Sequence, residues 1–131
     1  MRVAAHRGLY DTAGDPPVLQ GSRCASCGTT FFPALTLGCE VCGATQLDPI
    51  ALEATGVLHS VATVHLYQGH DIEAPFAVGE IQLDGGPLIR ATMTEPLGID
   101  AIGDRVTASW VAVRTDDDGN DVVEPRFGLA R

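Results

Sequence analysis

From Gly56 onward the chain alternates apolar and polar positions, with Leu58, Ala62, Val64 and Leu66 on one side and His59, Thr63 and His65 on the other. Successive side chains of a β-strand point to opposite faces, so this run predicts a half-buried strand. Further strands are predicted over 76–83 and 88–94, joined by Asp84-Gly85-Gly86-Pro87, whose two glycines can take the positive φ of a tight hairpin. Val106, Ala108, Trp110 and Ala112 then share one face against Thr107 and Ser109. A polar turn, Asp116-Asp117-Asp118-Gly119-Asn120, leads to a last strand over 122–127. Five short strands are the inventory of a Greek-key OB barrel, which is placed at residues 50–131. Residues 95–103, with Pro96, Gly98 and Gly103, predict a loop instead of a long helix. The other long connection, 67–75, lies where OB folds bind ligands or partners.

Upstream the alternation is absent. Residues 1–17 mix His6, Arg7 and Tyr10 with a Gly14-Asp15-Pro16-Pro17 break, so they are expected to hold at most a short helix that stops before the prolines. Residues 18–23 and 30–32 flank a Cys-x-x-Cys turn and predict the two strands of a hairpin. Residues 47–49 close that unit, assigned to 18–49, and 50–55 are expected to link onward. The class is mainly β: an N-terminal rubredoxin-like zinc ribbon, then a five-stranded OB-fold barrel.

Chemistry concentrates in the ribbon. Cys24-Ala25-Ser26-Cys27-Gly28 and Cys39-Glu40-Val41-Cys42-Gly43 are two copies of one knuckle and use every cysteine of the chain. Each turn aims two thiolates at one point, and the glycine after it frees the backbone to approach the sulfurs. Four soft ligands in two pairs predict one tetrahedral metal held by Cys24, Cys27, Cys39 and Cys42. Zinc is the expected ion, and iron uses the same ligands. Two disulfides are the competing reading, but a Cys-x-x-Cys turn is poor disulfide geometry and no charged and apolar leader is seen at the N-terminus. Four thiolates leave no position for an activated water, so the metal is expected to be structural. A segment this small buries too little apolar surface to fold unaided, so its loss is expected to unfold the lobe.

Composition narrows the partners. Formal net charge is −9, and all eight basic residues are arginines. Phosphate binding needs a cationic footprint and single-strand binding needs stacking platforms; an acidic chain with 5% aromatic residues has neither, so no nucleic-acid partner is expected. No apolar stretch approaches the ~18 residues that cross a bilayer. No membrane partner is therefore expected, and reduced cysteines suit a cytoplasmic location. His59, His65 and His70 are expected to be surface or interface histidines, and Asp116 to Asp118 lack the alternating spacing and terminal glutamate of a calcium loop. Nucleophile elbow, phosphate loop and free cysteine are all missing, so no catalytic residue is assigned.

The run Leu19-Gln20-Gly21-Ser22-Arg23-Cys24-Ala25-Ser26-Cys27-Gly28, with Phe32-Pro33, Cys39-Glu40-Val41-Cys42-Gly43, Gly56-Val57-Leu58-His59-Ser60 and 77–86, resembles a known family. It is similar to the small zinc-ribbon and OB-fold proteins that associate with thiolases and thiolase-like acyl-CoA enzymes, long catalogued as a domain of unknown function. One departure is Glu40, where the family often has proline, and it bears only on turn rigidity. The resemblance implies a non-catalytic subunit whose partner makes or cleaves carbon–carbon bonds, as in retro-aldol or thiolytic degradation of steroid side chains or aromatic compounds. It implies apolar contacts around Phe31, Phe32 and Phe76, with Arg126 and Phe127 reaching toward an acyl-CoA entrance. A free-standing module that binds a ligand or nucleic acid is the alternative.

Overall fold

Ten strands account for the architecture, and the computed structural model describes them over residues 1–130. Residue 131, the last of the expected barrel, lies outside the described residues. The strands are β1 (Arg2–Ala4), β2 (Tyr10–Asp11), β3 (Val18–Cys24), β4 (Thr30–Phe31), β5 (Leu47–Glu53), β6 (Thr55–Val64), β7 (Phe76–Leu83), β8 (Leu88–Thr92), β9 (Arg105–Thr115) and β10 (Asp121–Leu129). A single 3-10 turn, Ile99–Ala101, interrupts the connection before β9.

The larger sheet runs β1-β10-β9-β6-β7-β8. A parallel bridge between Met93 and Phe127 brings its far edge back to β10, with the Thr94 N–H donating to the Phe127 carbonyl at 2.8 Å. Strands β6 to β10 thus form the five-stranded OB barrel, with β1 added in parallel outside it. Residues 1–17, expected to hold at most a short helix, supply two short strands that the sequence pattern did not indicate. Neither strand is stable by itself; each forms where β10 or β3 already offers an edge.

Around the knuckles, β3 is the spine. It pairs with β2 and β4, and along its whole length with β5. The expected hairpin of 18–23 and 30–32 is therefore present, but 50–55, expected to link onward, belong largely to a third strand. β5 runs almost directly into β6, and Gly56 at that corner lies so close to the Gln82 carbonyl that no Cβ fits. One core joins both parts: Leu19 of β3 and Leu52 of β5 pack in the same cluster as Leu58, Ile81, Val106 and Phe127 of the barrel.

The face expected for β6 is also corrected. A bulge between Leu58 and Ser60 takes His59 out of the ladder, and an extra residue inverts every later side chain. Val61 therefore packs against the core, Ala62 is exposed, and Leu66 lies beyond the strand at 94% exposure. On β9 the register is regular from Val106 to Ala112, so these alternate residues share one face as expected; Val106, Ala108 and Trp110 face or border the core, while Ala112 is exposed.

Candidate metal centre and contact surface

Both knuckles are built by the same local bonds. Cys24 N–H donates to the Thr29 carbonyl at 2.9 Å and Gly28 N–H to the Cys24 carbonyl at 2.9 Å; Cys39 to Ala44 and Gly43 to Cys39 repeat the pattern at 2.8 and 3.0 Å. Gly28 and Gly43 close the turns at φ 78° and 81°, a region costly for any residue with a Cβ. The four sulfurs lie within 4.8 Å of one another, and Cys24 to Cys42 and Cys27 to Cys39 are each separated by 3.6 Å. Ligands about 2.3 Å from a tetrahedral zinc have sulfurs about 3.8 Å apart, so the donor set fits the ion.

Electrostatics supports the same fit. The Cys27 N–H lowers the Cys24 thiol below its ordinary value. The Thr29 hydroxyl, followed by the Thr29 N–H, brings Cys27 down to about 6. The Ala44 N–H favours the Cys42 thiolate, but hydrogen bonding with Cys24, burial and the other two cysteines hold Cys42 up at about 11. Like charges in one site resist joint ionisation. A divalent cation at the centre removes that resistance. Cys24 and Cys39 are buried, Cys27 and Cys42 exposed, and all four ligand positions are taken by sulfur. Such a site stabilises a fold and offers no place for substrate.

The expected contact residues separate. Phe31 and Phe32 are half-buried, and Phe32 packs against the core. Phe76 meets Tyr67 edge-on at 5.2 Å beside the 65–75 loop. Phe127 is 0% exposed in the barrel core, which corrects its placement at an acyl-CoA entrance: a side chain with no surface makes no outside contact. Arg126 is corrected too. At 6% exposure it is held by Glu124, 3.0 Å from its Nε, and by Asp71, 3.7 Å from its Nη2, so its charge is already spent inside the protein.

Sequence reasoning missed Tyr10 and Asp71. Tyr10 is buried against Trp110, and its hydroxyl donates to the Val123 carbonyl at 3.1 Å while accepting from the His6 N–H at 3.0 Å. Asp71 accepts from the Tyr67 hydroxyl at 2.7 Å and faces Arg126, thereby tethering the loop to β10. No local pattern marks either partnership, though 67–75 was singled out as a binding connection.

The Tyr67 hydroxyl, with help from Arg126, holds the Asp71 carboxyl below its ordinary 3.8. A depressed folded value stabilises the tether above the unfolded value and loses it as pH falls through the folded one. In a carboxyl NMR titration, Asp71 is expected to titrate below 3.8, with Tyr67 ring resonances moving in the same step. Ring shifts that stay constant through that step would show the two groups are not bonded.

The comparisons place this geometry among known proteins. Residues 11–48 match the profile of the "ChsH2, rubredoxin-like zinc ribbon domain" and 50–111 that of the "ChsH2, C-terminal OB-fold domain". A DUF35 domain-containing scaffold protein of Methanocaldococcus jannaschii is 30% identical over 105 residues, covering 77% of this chain and 74% of that protein. A second, from Methanothermobacter thermautotrophicus, is 29% identical over 109 residues, covering 80% and 79%. Among solved structures, a chain of the Ltp2-ChsH2(DUF35) aldolase superposes with a TM-score of 0.65 at 25% identity, covering 85% of this chain and 84% of that one. With both halves matched in order and the four zinc-ribbon cysteines gathered at one point, this chain belongs to the ChsH2 (DUF35) family of zinc-ribbon and OB-fold proteins.

Proposed function

We propose that this chain is a non-catalytic accessory subunit of a thiolase-like acyl-CoA enzyme whose chemistry makes or breaks a carbon–carbon bond by a retro-aldol or thiolytic step. The observation that carries this reading is the similarity, over most of both chains, to a component of a solved aldolase complex. One further feature supports it: the metal set is closed by four sulfurs and leaves no position for a substrate or an activated water. Substrate chemistry then resides in the partner, and any acyl-CoA contact is shared at the interface. A cytoplasmic location accompanies a site that needs reduced thiols.

Coexpression with the thiolase-like protein of the same organism tests the reading. A stable heteromeric peak in size exclusion is expected, together with an acyl-CoA activity lower by at least about tenfold when this chain is omitted, the scale on which misplacement at a reacting centre is felt. An enzyme that elutes alone and turns over equally well without this chain would overturn it. The alternative, a free-standing nucleic-acid module, fits poorly with a net charge of −9.

A further inference from the structure

The barrel is incompletely closed between β8 and β10. At one end stands the Met93–Phe127 bridge. At the other, β1 covers β10 only over 121–123, with a final bond from the Ala5 N–H to the Val123 carbonyl at 2.9 Å. A cavity of about 190 Å³ lies in this region, lined by Arg90 and Thr92 from β8, Glu124 and Pro125 from β10, and Leu19 and Phe32 from the ribbon side.

Bond alternation shows which backbone groups face the opening. Leu83 N–H donates to the Pro87 carbonyl at 3.0 Å and Met93 N–H to the Ala77 carbonyl at 2.9 Å, so odd-numbered residues of this strand bond to β7. Leu88, Arg90 and Thr92 therefore turn their backbone groups away from β7. On β10 the Val123 and Phe127 carbonyls accept from Ala5 and Thr94, so Pro125 shares their outward direction. A proline there offers an acceptor and no donor. The ladder between β8 and β10 stops short of Arg90, and among the described residues no strand pairs with β8 on that side.

We infer that this slot receives an extended peptide segment of the partner enzyme, which adds to β8 through the Arg90 N–H and carbonyl and lowers one apolar side chain into the cavity. The inference rests on the accessory-subunit reading and names the surface that does the docking. Three observations select a peptide. An open strand edge is satisfied by another backbone, with a side-chain pocket supplying selectivity. The cavity, at about 190 Å³, is smaller than the roughly 300 Å³ at which pockets for whole small molecules begin, so it holds one side chain. The outer edge of β10 already accepts a strand distant in sequence, β1, immediately beside the slot. The net charge of −9 adds that the segment carries basic residues at its flanks.

Hydrogen exchange and affinity measurements on the complex with the coexpressed thiolase-like enzyme test this. The Arg90 amide is expected to exchange rapidly in the free chain and at least about tenfold more slowly in the complex, as a newly bonded amide does. Arg90→Pro deletes that outward donor while leaving the β7 ladder intact, and is expected to weaken association by about tenfold or more. Arg90→Ala keeps the amide and removes a largely exposed side chain that pairs with Glu80 at the cavity's edge, and is expected to weaken binding clearly less than Arg90→Pro does. Ala91→Leu, which fills the cavity from its wall, is expected to weaken binding as Arg90→Pro does. Should Arg90→Pro lose zinc or melt early, protection of the parent's Arg90 amide and the Ala91→Leu affinity decide the matter. A complex in which that amide stays unprotected and both variants bind as the parent does overturns the slot alone. Absence of any complex overturns the accessory reading and the slot together. Protection by acyl-CoA without the enzyme overturns the choice of a peptide.

Discussion

Replacing Cys39 by serine is expected to take the zinc content from one per chain to none and to lower the melting temperature by at least ~15 °C. Cys39 is buried, lies 3.6 Å from Cys27, and receives N–H groups from Val41 and Cys42 on its sulfur at 3.4 and 3.5 Å. A serine hydroxyl is a harder and far weaker zinc ligand than a thiolate, so the tetrahedron opens. Structural zinc contributes on the order of 10 kcal/mol to such knuckles, and each kcal/mol moves the melting point of a domain this size by ~3–5 °C. The damage does not stop at the ribbon. Leu19 and Leu52 sit in one core with Leu58 and Phe127, so fraying of β3 and β5 from the metal end removes apolar cover from the barrel. Metal analysis with a thermal scan checks this, and a chelated chain that melts at the original temperature would show that the ribbon holds itself.

What was legible in the sequence was local. The cysteines could be read because a Cys-x-x-Cys turn positions its own sulfurs through bonds spanning five residues, such as Cys24 to Thr29. The barrel strands could be read wherever one face is buried, as in β7, where Ala77, Gly79, Ile81 and Leu83 are all covered. β5 could not. Its Asp48-Pro49 pair has the signature of a turn, yet Pro49 sits opposite Ser22 in an edge strand, where a missing N–H costs nothing on the open side. β1 was equally hidden, because three residues become a strand only when β10 is beside them. The His59 bulge follows from pairing to β7 and leaves no compositional trace. Arg126 shows the same limit: Glu124 two residues away on the same face was in view, whereas Asp71, 55 residues away, was not.

Phe127→Ala is expected to destabilise the isolated chain by about 3–5 kcal/mol, the range for emptying a fully buried phenyl site. The side chain is 0% exposed and packs with Leu19 from the ribbon and Ile81 and Val106 from the barrel. Its backbone carries the Met93 bridge, so the cavity opens where β8 and β10 meet. Against a total stability of roughly 5–15 kcal/mol, a loss of this size leaves about 0–12 kcal/mol, so unfolding at working temperature becomes appreciable only if the parent lies near the lower end. In that case association with the partner enzyme falls because less folded subunit is present. Phe31→Ala provides the contrast. Phe31 is half-buried at the end of the two-residue strand β4, outside the core cluster, and its truncation is expected to cost under about 1.5 kcal/mol. Urea unfolding of the two variants alone separates packing from contact: a midpoint for Phe127→Ala equal to the parent's would show that its ring does not hold the barrel, and would return it to the contact surface.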